Sequence, residues 1–324
     1  RIIDVMGTAI STTDFKFPNQ TALYHGKVRD VYTIKDDTIV MVATDRISAF
    51  DVVLPRPIPF KGQVLNQLAA NFLEKTADIV PNWLHAVPDP AVSVGSKAEP
   101  IPIEIVIRGY LVGHAWREYQ AGERQLCGQP MPDGMQENDA FPSPIITPTS
   151  KAETGHDQDI TESEILNNKL VTTDEWDQLK DYAQKLFARG QQLALAKGLI
   201  LVDTKYEFGR LGGKIILIDE IHTPDSSRYF YADAYKKYAN GDKSKPPKQL
   251  SKEFVRSWLM ENGFTGQSDQ TVPEMSDDFI DLVSERYIEL YEKMTGKAFQ
   301  KADDNDPLKR IEVNVNDYLK EVES

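Results

Sequence analysis

Residues 201–228, LVDTKYEFGRLGGKIILIDEIHTPDSSR, gather Asp203, Lys205, Glu207, Asp219, Glu220 and Arg228 into a span that reads as a hairpin and its exit loop. A strand over 199–208 puts Asp203, Lys205 and Glu207 on one face and Thr204, Tyr206 and Phe208 on the other, because side chains alternate along a strand. The glycine-rich turn GRLGG, 209–213, leads into a second strand over 214–221, on which Ile215, Leu217, Asp219 and Ile221 share a face. Carboxylates beside Ile, Leu and Val are costly to bury unless they are paired or bound to a metal. Asp203, Glu207, Asp219 and Glu220 around Lys205 are hard oxygen donors of the kind Mg²⁺ takes. The plainer alternative is an amphipathic hairpin with a solvated charged face. What weighs against it is the density of both signs of charge in one hairpin, with Arg228 delivered at the end of the exit loop.

Three further places offer chemistry. Lys27 and Arg29 lie two apart, hence on one strand face, next to Gly26, where backbone can approach a ligand closely. Two cations and exposed amides would cradle a triphosphate; a solvated turn is the other reading. TDRISAFD, 44–51, follows an apolar strand, where polar residues often form a binding rim, though Asp45 and Ser48 could equally cap turn or helix amides. Arg108 closes the apolar run 103–107 beside a glycine, which suits a forked clamp on a phosphate or carboxylate, or a structural salt bridge.

These motifs resemble one family. The first strand of the hairpin fits the pattern hydrophobic-hydrophobic-Asp-x-Lys-x-Glu-Phe-Gly. DTKYEFG followed by DEIHTPDSSR resembles the second signature of the SAICAR synthetases (phosphoribosylaminoimidazole-succinocarboxamide synthases). GKVRDVY (26–32), RGYLVGHAWREY (108–119) and TPTSKAETGHD (147–157) match that family's other motifs in order. The resemblance implies an α+β, two-lobed, kinase-like or ATP-grasp-like fold: a mostly antiparallel N-terminal lobe over 1–110 covering the nucleotide, and a larger α+β lobe over 111–324 carrying the hairpin and an acidic helical end. It implies an ATP- and Mg²⁺-dependent ligase that joins L-aspartate to carboxyaminoimidazole ribotide in purine synthesis, with these small molecules as its partners. By the same resemblance, Gly26, Lys27, Arg29 and Lys151 fall among the ATP contacts. Glu207 and Asp219 would hold Mg²⁺ or the ATP ribose. Ser48, Asp51, Arg108, His114, Asp157 and Arg228 fall among the substrate contacts. Lys205, paired to Asp203, would meet the reacting carboxylate or the transferred phosphoryl group. His114 stands where the family has Ser, so an imidazole replaces a hydroxyl: either it touches substrate and gives that contact a pH dependence, or it packs under Tyr110 or Trp116.

The elements that must position these residues are legible in outline. Strands are expected on both sides of Gly26 and over 38–43, a helix over 63–76 with Leu65, Leu68, Ala69, Phe72 and Leu73 on its core side, and a surface connection over the proline-rich 81–102. Thr172 and Glu175 form a capping box for a helix that Lys197-Gly198 stops. Three helices are expected over 254–260, 279–294 and 308–319.

Composition sets the frame. The chain of 324 residues is 40% hydrophobic and 27% charged, with a net charge of −13. Residues 251–324 carry 9 basic and 17 acidic side chains, and so −8 of that −13. This opposes general binding to a nucleic-acid backbone. One cysteine, Cys127, excludes an internal disulfide and suits a reducing compartment. No apolar run reaches membrane-spanning length and no secretory leader is recognisable, so a cytoplasmic monomer or small homo-oligomer is expected. The G-x-G-x-x-G fingerprint of dinucleotide-binding folds and the catalytic-loop pattern of protein kinases are absent from the sequence.

Overall fold

The computed structural model describes residues 9–151, 157–250, 252–303 and 305–324. Its chain divides into two compact units. The first takes residues 1–71, 84–97 and 251–324, and the second takes 72–83 and 98–250.

The elements of the first unit begin with β1 (Gln20–His25), β2 (Arg29–Ile34), β3 (Thr38–Ala43), β4 (Ser48–Ala49), β5 (Val52–Val53) and α1 (Lys61–Lys75), whose last turn belongs to the second unit. β6 (Leu84–Asp89) and β7 (Val92–Ser96) follow. β1, β2, β3, β7 and β6 form an antiparallel sheet in that order. The second unit carries β8 (Glu99–Tyr110), α2 (His114–Gln120), β9 (Gln125–Leu126), β10 (Gln129–Pro130), β11 (Ala140–Ile146), β12 (Thr149–Ser150) and β13 (Gln158–Asp159). It continues with α3 (Glu162–Asn167), α4 (Thr173–Leu195), β14 (Leu199–Leu211), β15 (Lys214–Ile218), β16 (Ser227–Tyr231) and α5 (Ala232–Ala239). Its seven-stranded antiparallel sheet runs β13-β12-β8-β14-β15, with β11 also on β8 and β16 also on β14. The chain then returns to the first unit as α6 (Lys252–Glu261), α7 (Asp277–Thr295) and α8 (Pro307–Glu323).

Two expectations are corrected here. Residues 81–102 are not a bare surface connection, because β6 and β7 complete the first sheet. Pro88 is tolerated since β6 is that sheet's edge, where a missing amide leaves no ladder bond unmade. The acidic C-terminal helices belong with the first unit, not with a second lobe over 111–324. Ile311, Val315 and Leu319, spaced four apart on α8, are buried in the cluster of Tyr32, Val40, Val42 and Val94.

The hairpin forms as expected, with a tighter turn: Leu211 pairs with Lys214 across Gly212 and Gly213, at φ +57 and +75. Two successive left-handed residues are the two-residue turn that matches strand twist, and glycine adopts it without strain. Behind the hairpin, α4 has both halves of the Thr172–Glu175 capping box and buries Trp176, Leu179, Ala183 and Leu186. Among the described residues, no helix is long and apolar enough to cross a membrane.

Candidate active site

Strand register sets the functional side chains of the second unit in rows. β8 and β14 place Arg108 opposite Asp203, Val106 opposite Lys205 and Glu104 opposite Glu207. Residues directly opposite in an antiparallel pair project to the same face, so all six share one. From β16, Arg228 lies opposite Asp203 on its other side. The face therefore reads Arg108–Asp203–Arg228, then Lys205, then Glu104–Glu207.

In the first row, Arg228 Nη1 donates to Asp203 Oδ2 at 3.0 Å, and Arg108 Nη1 stands 3.9 Å from the same oxygen. Arg108 Nε donates to Thr147 Oγ1 at 2.9 Å. Burial pulls the Arg108 pKa down, with Asp203 opposing. Two guanidiniums share one carboxylate here, a positive excess that suits an incoming anion. Arg228 lies directly on Gly113: a Cβ there would come within 2.2 Å of Arg228 Nη1, and Gly113 has φ +63. Next to Gly113, His114 Nε2 donates to Asp159 Oδ2 at 2.7 Å and holds the Asp159 carboxyl below the usual range against partial burial.

Lys205 is not paired to Asp203 as expected. Asp203 is taken by the arginines, and Lys205 Nζ donates to Glu104 Oε1 at 3.2 Å. Burial of its stem works against the charge, but Glu104, Glu207 and Asp219 outweigh it and hold the Lys205 pKa above its ordinary value. The third row brings two carboxyl groups, Glu104 and Glu207, together. Lys151 Nζ lies 2.8 Å from Glu207 Oε2 and 3.9 Å from Glu104 Oε1. Burial, and next the charge of Asp219, push Glu207 up to about 8. Burial also acts to raise Glu104, but the Lys205 charge, the hydrogen bonds from Glu207 and Lys205 and the Lys151 charge together override it, and the group ends below its ordinary value.

In the first unit, the turn between β1 and β2 is held through its backbone. Gly26 N donates to Arg29 O at 2.8 Å. Arg46 donates to Gly26 O at 2.8 Å, to Lys27 O at 3.0 Å and to Asp30 Oδ1 at 3.0 Å. Lys27 points outward and pairs with Asp51 at 2.6 Å, both side chains 58% exposed. Asp51 and Phe50 join β4 to β5 at φ +61 and +52, a left-handed pair without glycine, and Ser48 is buried on β4. Such strain persists where surrounding structure enforces it, and it clusters at functional sites. Asp45 takes the capping role: its carboxylate accepts from Ile10 N at 2.7 Å and from Gly62 N, at the start of α1, at 2.8 Å.

The expected residues thus fall into two groups. Arg108, His114, Lys151, Asp203, Lys205, Glu207, Asp219 and Arg228 are in the second unit, and Gly26, Lys27, Arg29, Ser48 and Asp51 in the first. Asp157 is exposed just ahead of β13, and residues 152–156 of the TSKAETGHD motif lie outside the described residues. Sequence reasoning missed Glu104, Thr147, Asp159, Arg46 and Asp30. Glu104 had a signal: it is a lone carboxylate inside the apolar strand IEIVI.

Among the described residues, no group of three or more His, Cys, Asp or Glu is arranged to hold a metal ion by itself. Glu207 and Asp219 still suit Mg²⁺. They are hard oxygen donors, and burial, with the Asp219 charge next, makes the ionised form of Glu207 unfavourable without a cation beside it. Mg²⁺ commonly takes one or two carboxylates and fills its other positions with phosphate oxygens and water.

A family model for SAICAR synthetase matches residues 22–272. The chain belongs to the SAICAR synthetase family. The phosphoribosylaminoimidazole-succinocarboxamide synthase of Bacteroides thetaiotaomicron is 58% identical over 312 residues, 96% of this chain and 99% of that relative. That of Flavobacterium psychrophilum is 59% identical, over 96% of this chain and 98% of the relative. Among solved structures, the SAICAR-synthase from Saccharomyces cerevisiae complexed with SAICAR superposes with a TM-score of 0.77 at 31% identity, covering 90% of this chain and all of that one. The two-lobed α+β fold of the SAICAR synthetases and its antiparallel sheets are therefore this chain's as well.

Proposed function

We propose that this SAICAR synthetase family member joins the amine of L-aspartate to the carboxylate of carboxyaminoimidazole ribotide, giving SAICAR, ADP and phosphate, through an acyl phosphate. A carboxylate resists amines because oxide is a poor leaving group. A ribotide carboxylate oxygen attacks the γ-phosphorus of ATP and ADP departs. The aspartate amine, having lost its proton, then attacks the acyl carbon, and phosphate leaves with the electron pair of the C–O bond. Phosphoryl transfer of this kind depends on positioning and charge neutralisation more than on covalent catalysis.

The observation that carries the reading is the order of the rows, paired arginines, then lysine, then carboxylates. Arg108 and Arg228 fork onto ribotide anions, with Ser48, Asp51, His114 and Asp157 as further substrate contacts. Lys205, held charged, meets the transferred phosphoryl group, and Asp203 holds the two guanidiniums side by side by attracting both. Gly26, Lys27, Arg29 and Lys151 bind ATP phosphates. Glu207 and Asp219 hold Mg²⁺, which when bound neutralises phosphate charge.

The test is phosphate release from ATP. The reading expects ADP and phosphate only with ribotide, aspartate and Mg²⁺ together. Phosphorylation of a hydroxyl compound without aspartate would replace the ligase by a kinase. No turnover in folded protein would leave only a nucleotide-binding module.

A further inference from the structure

We propose that Trp83 and Tyr206 are positioning residues for the reaction, fixing where the Asp219 carboxylate stands. The proposal rests on the reading of Asp219 as a ligand of ATP-bound Mg²⁺.

The chain leaves β15 at Ile218, and Asp219 follows at φ +63, a backbone region that L-residues with side chains rarely adopt. Something must hold it there. Residues 81–83 lie along the strand: Leu217 N donates to Pro81 O at 2.9 Å, and Trp83 N donates to Leu217 O at 3.0 Å. The Trp83 side chain then reaches one step further, its indole Nε1 donating to Asp219 O at 2.9 Å. One buried tryptophan, 3% exposed, thus binds two carbonyls of the same segment, at Leu217 and at Asp219. An indole N–H is a rigid, uncharged donor, so it orients the peptide without disturbing the charge of the site.

The other side of Asp219 is held as firmly. His222, again left-handed at φ +58, is fully buried. Its Nε2 shares a 2.6 Å hydrogen bond with Tyr206 Oη, and its carbonyl accepts from Tyr229 Oη at 2.7 Å. Gly190 on α4 leaves room for the ring: a Cβ at that position would lie 2.7 Å from it. Tyr206 sits between Lys205 and Glu207 and projects to the opposite face of β14. The same strand therefore presents the reacting groups above and fastens their exit loop below. Asp219 is caught between the two anchors, close enough for its charge to act on Glu207, Lys205 and Lys151.

Tyr206→Phe keeps the ring and removes only the hydroxyl, and Trp83→Phe keeps an aromatic side chain but loses the indole N–H together with its five-membered ring; Asp219→Asn serves as the reference. Two quantities are read: retention of Mn²⁺ with ADP by electron paramagnetic resonance, and the Mg²⁺ concentration giving half-maximal ADP formation. Each Phe variant is expected to weaken Mn²⁺ retention and raise the Mg²⁺ requirement by ~10-fold, as loss of an outer-shell partner does, with ribotide and aspartate KM within about twofold. If Asp219→Asn shifts the metal dependence but both Phe variants, folded by circular dichroism, keep the wild-type values, the two residues are only structural. If Asp219→Asn itself changes nothing, Asp219 is not a metal ligand and this inference falls with that reading. Should one Phe variant fail to fold, the other decides.

Discussion

Each unit buries a carboxylate beside its candidate ligand groups, and the two behave in opposite ways. Asp30, fully buried in the first unit, accepts from Thr13 N, Thr13 Oγ1, His25 Nδ1 and Arg46 Nη2. Burial acts to raise its pKa, but those hydrogen bonds override the effect and leave it below the ordinary value. Glu207, also buried but in the second unit, is pushed up to about 8 by burial and by Asp219. The first is saturated by the protein and holds a turn in place. The second keeps its proton up to about pH 8, a place that a bound cation can take instead. The regions around them differ accordingly. Near Asp30 the backbone of the Gly26–Arg29 turn is fixed while Lys27 stays exposed. On the β8–β14–β16 face the side chains themselves are fixed. One region suits recognition of phosphates and the other suits chemistry.

Breaking the second region should cost most. Lys205→Ala should lower kcat by ~10³-fold, the scale for losing one preorganised charge-stabilising group, with far-UV circular dichroism unchanged and little change in ATP binding. Full activity would show a solvated face instead. Arg108→Lys and Arg228→Lys should each raise ribotide KM by ~10- to 100-fold, because a point charge cannot copy a bidentate fork, and leave ATP KM nearly unchanged. An equal loss of ATP affinity would assign the arginines to the nucleotide.

Much of this was readable beforehand, for identifiable reasons. Period-two alternation placed Asp203, Lys205 and Glu207 together, and the Thr172–Glu175 box marked the start of α4. The partner of Lys205 was not readable, because Glu104 lies 101 positions away and only strand register brings it there. The placement of α8 was hidden for the same reason. Its stripe of Ile311, Val315 and Leu319 shows that a face is buried but not against which sheet. Arg46 escaped notice because, apart from the one to Asp30, its hydrogen bonds go to backbone carbonyls, and those carry no sequence signature.

Breaking the first region should do less to turnover. Arg46→Ala releases the turn and takes the guanidinium from the buried Asp30 carboxylate, leaving Thr13 and His25 as its donors. It should raise ATP KM by ~10-fold and lower stability by about 3 kcal/mol, read by KM and by denaturant midpoint, while ribotide KM holds. A matching fall in kcat would mean that the turn takes part in the chemistry. The last prediction compares the two carboxylates through pH. Glu207 takes up its proton near pH 8 when folded and ~4.5 when unfolded, so the ligand-free protein should lose stability as pH rises through that window. Glu207→Gln removes that loss and should raise Tm at pH 8 but not at pH 4. Asp30, with its lowered pKa, contributes stability that is present above ~3.9 and lost as pH falls below it, so Asp30→Asn should lower Tm at pH 8. Parallel pH profiles for the two variants would erase the distinction between them.

The proposed chemistry can be followed atom by atom with ribotide labelled by ¹⁸O in both carboxylate oxygens. An acyl phosphate intermediate predicts that each turnover leaves one ¹⁸O in the amide of SAICAR and moves the other into inorganic phosphate, seen as an isotope shift in the ³¹P spectrum. Phosphate released without ¹⁸O would mean that the carboxylate is never phosphorylated, and the order of arginine, lysine and carboxylate rows would need another explanation.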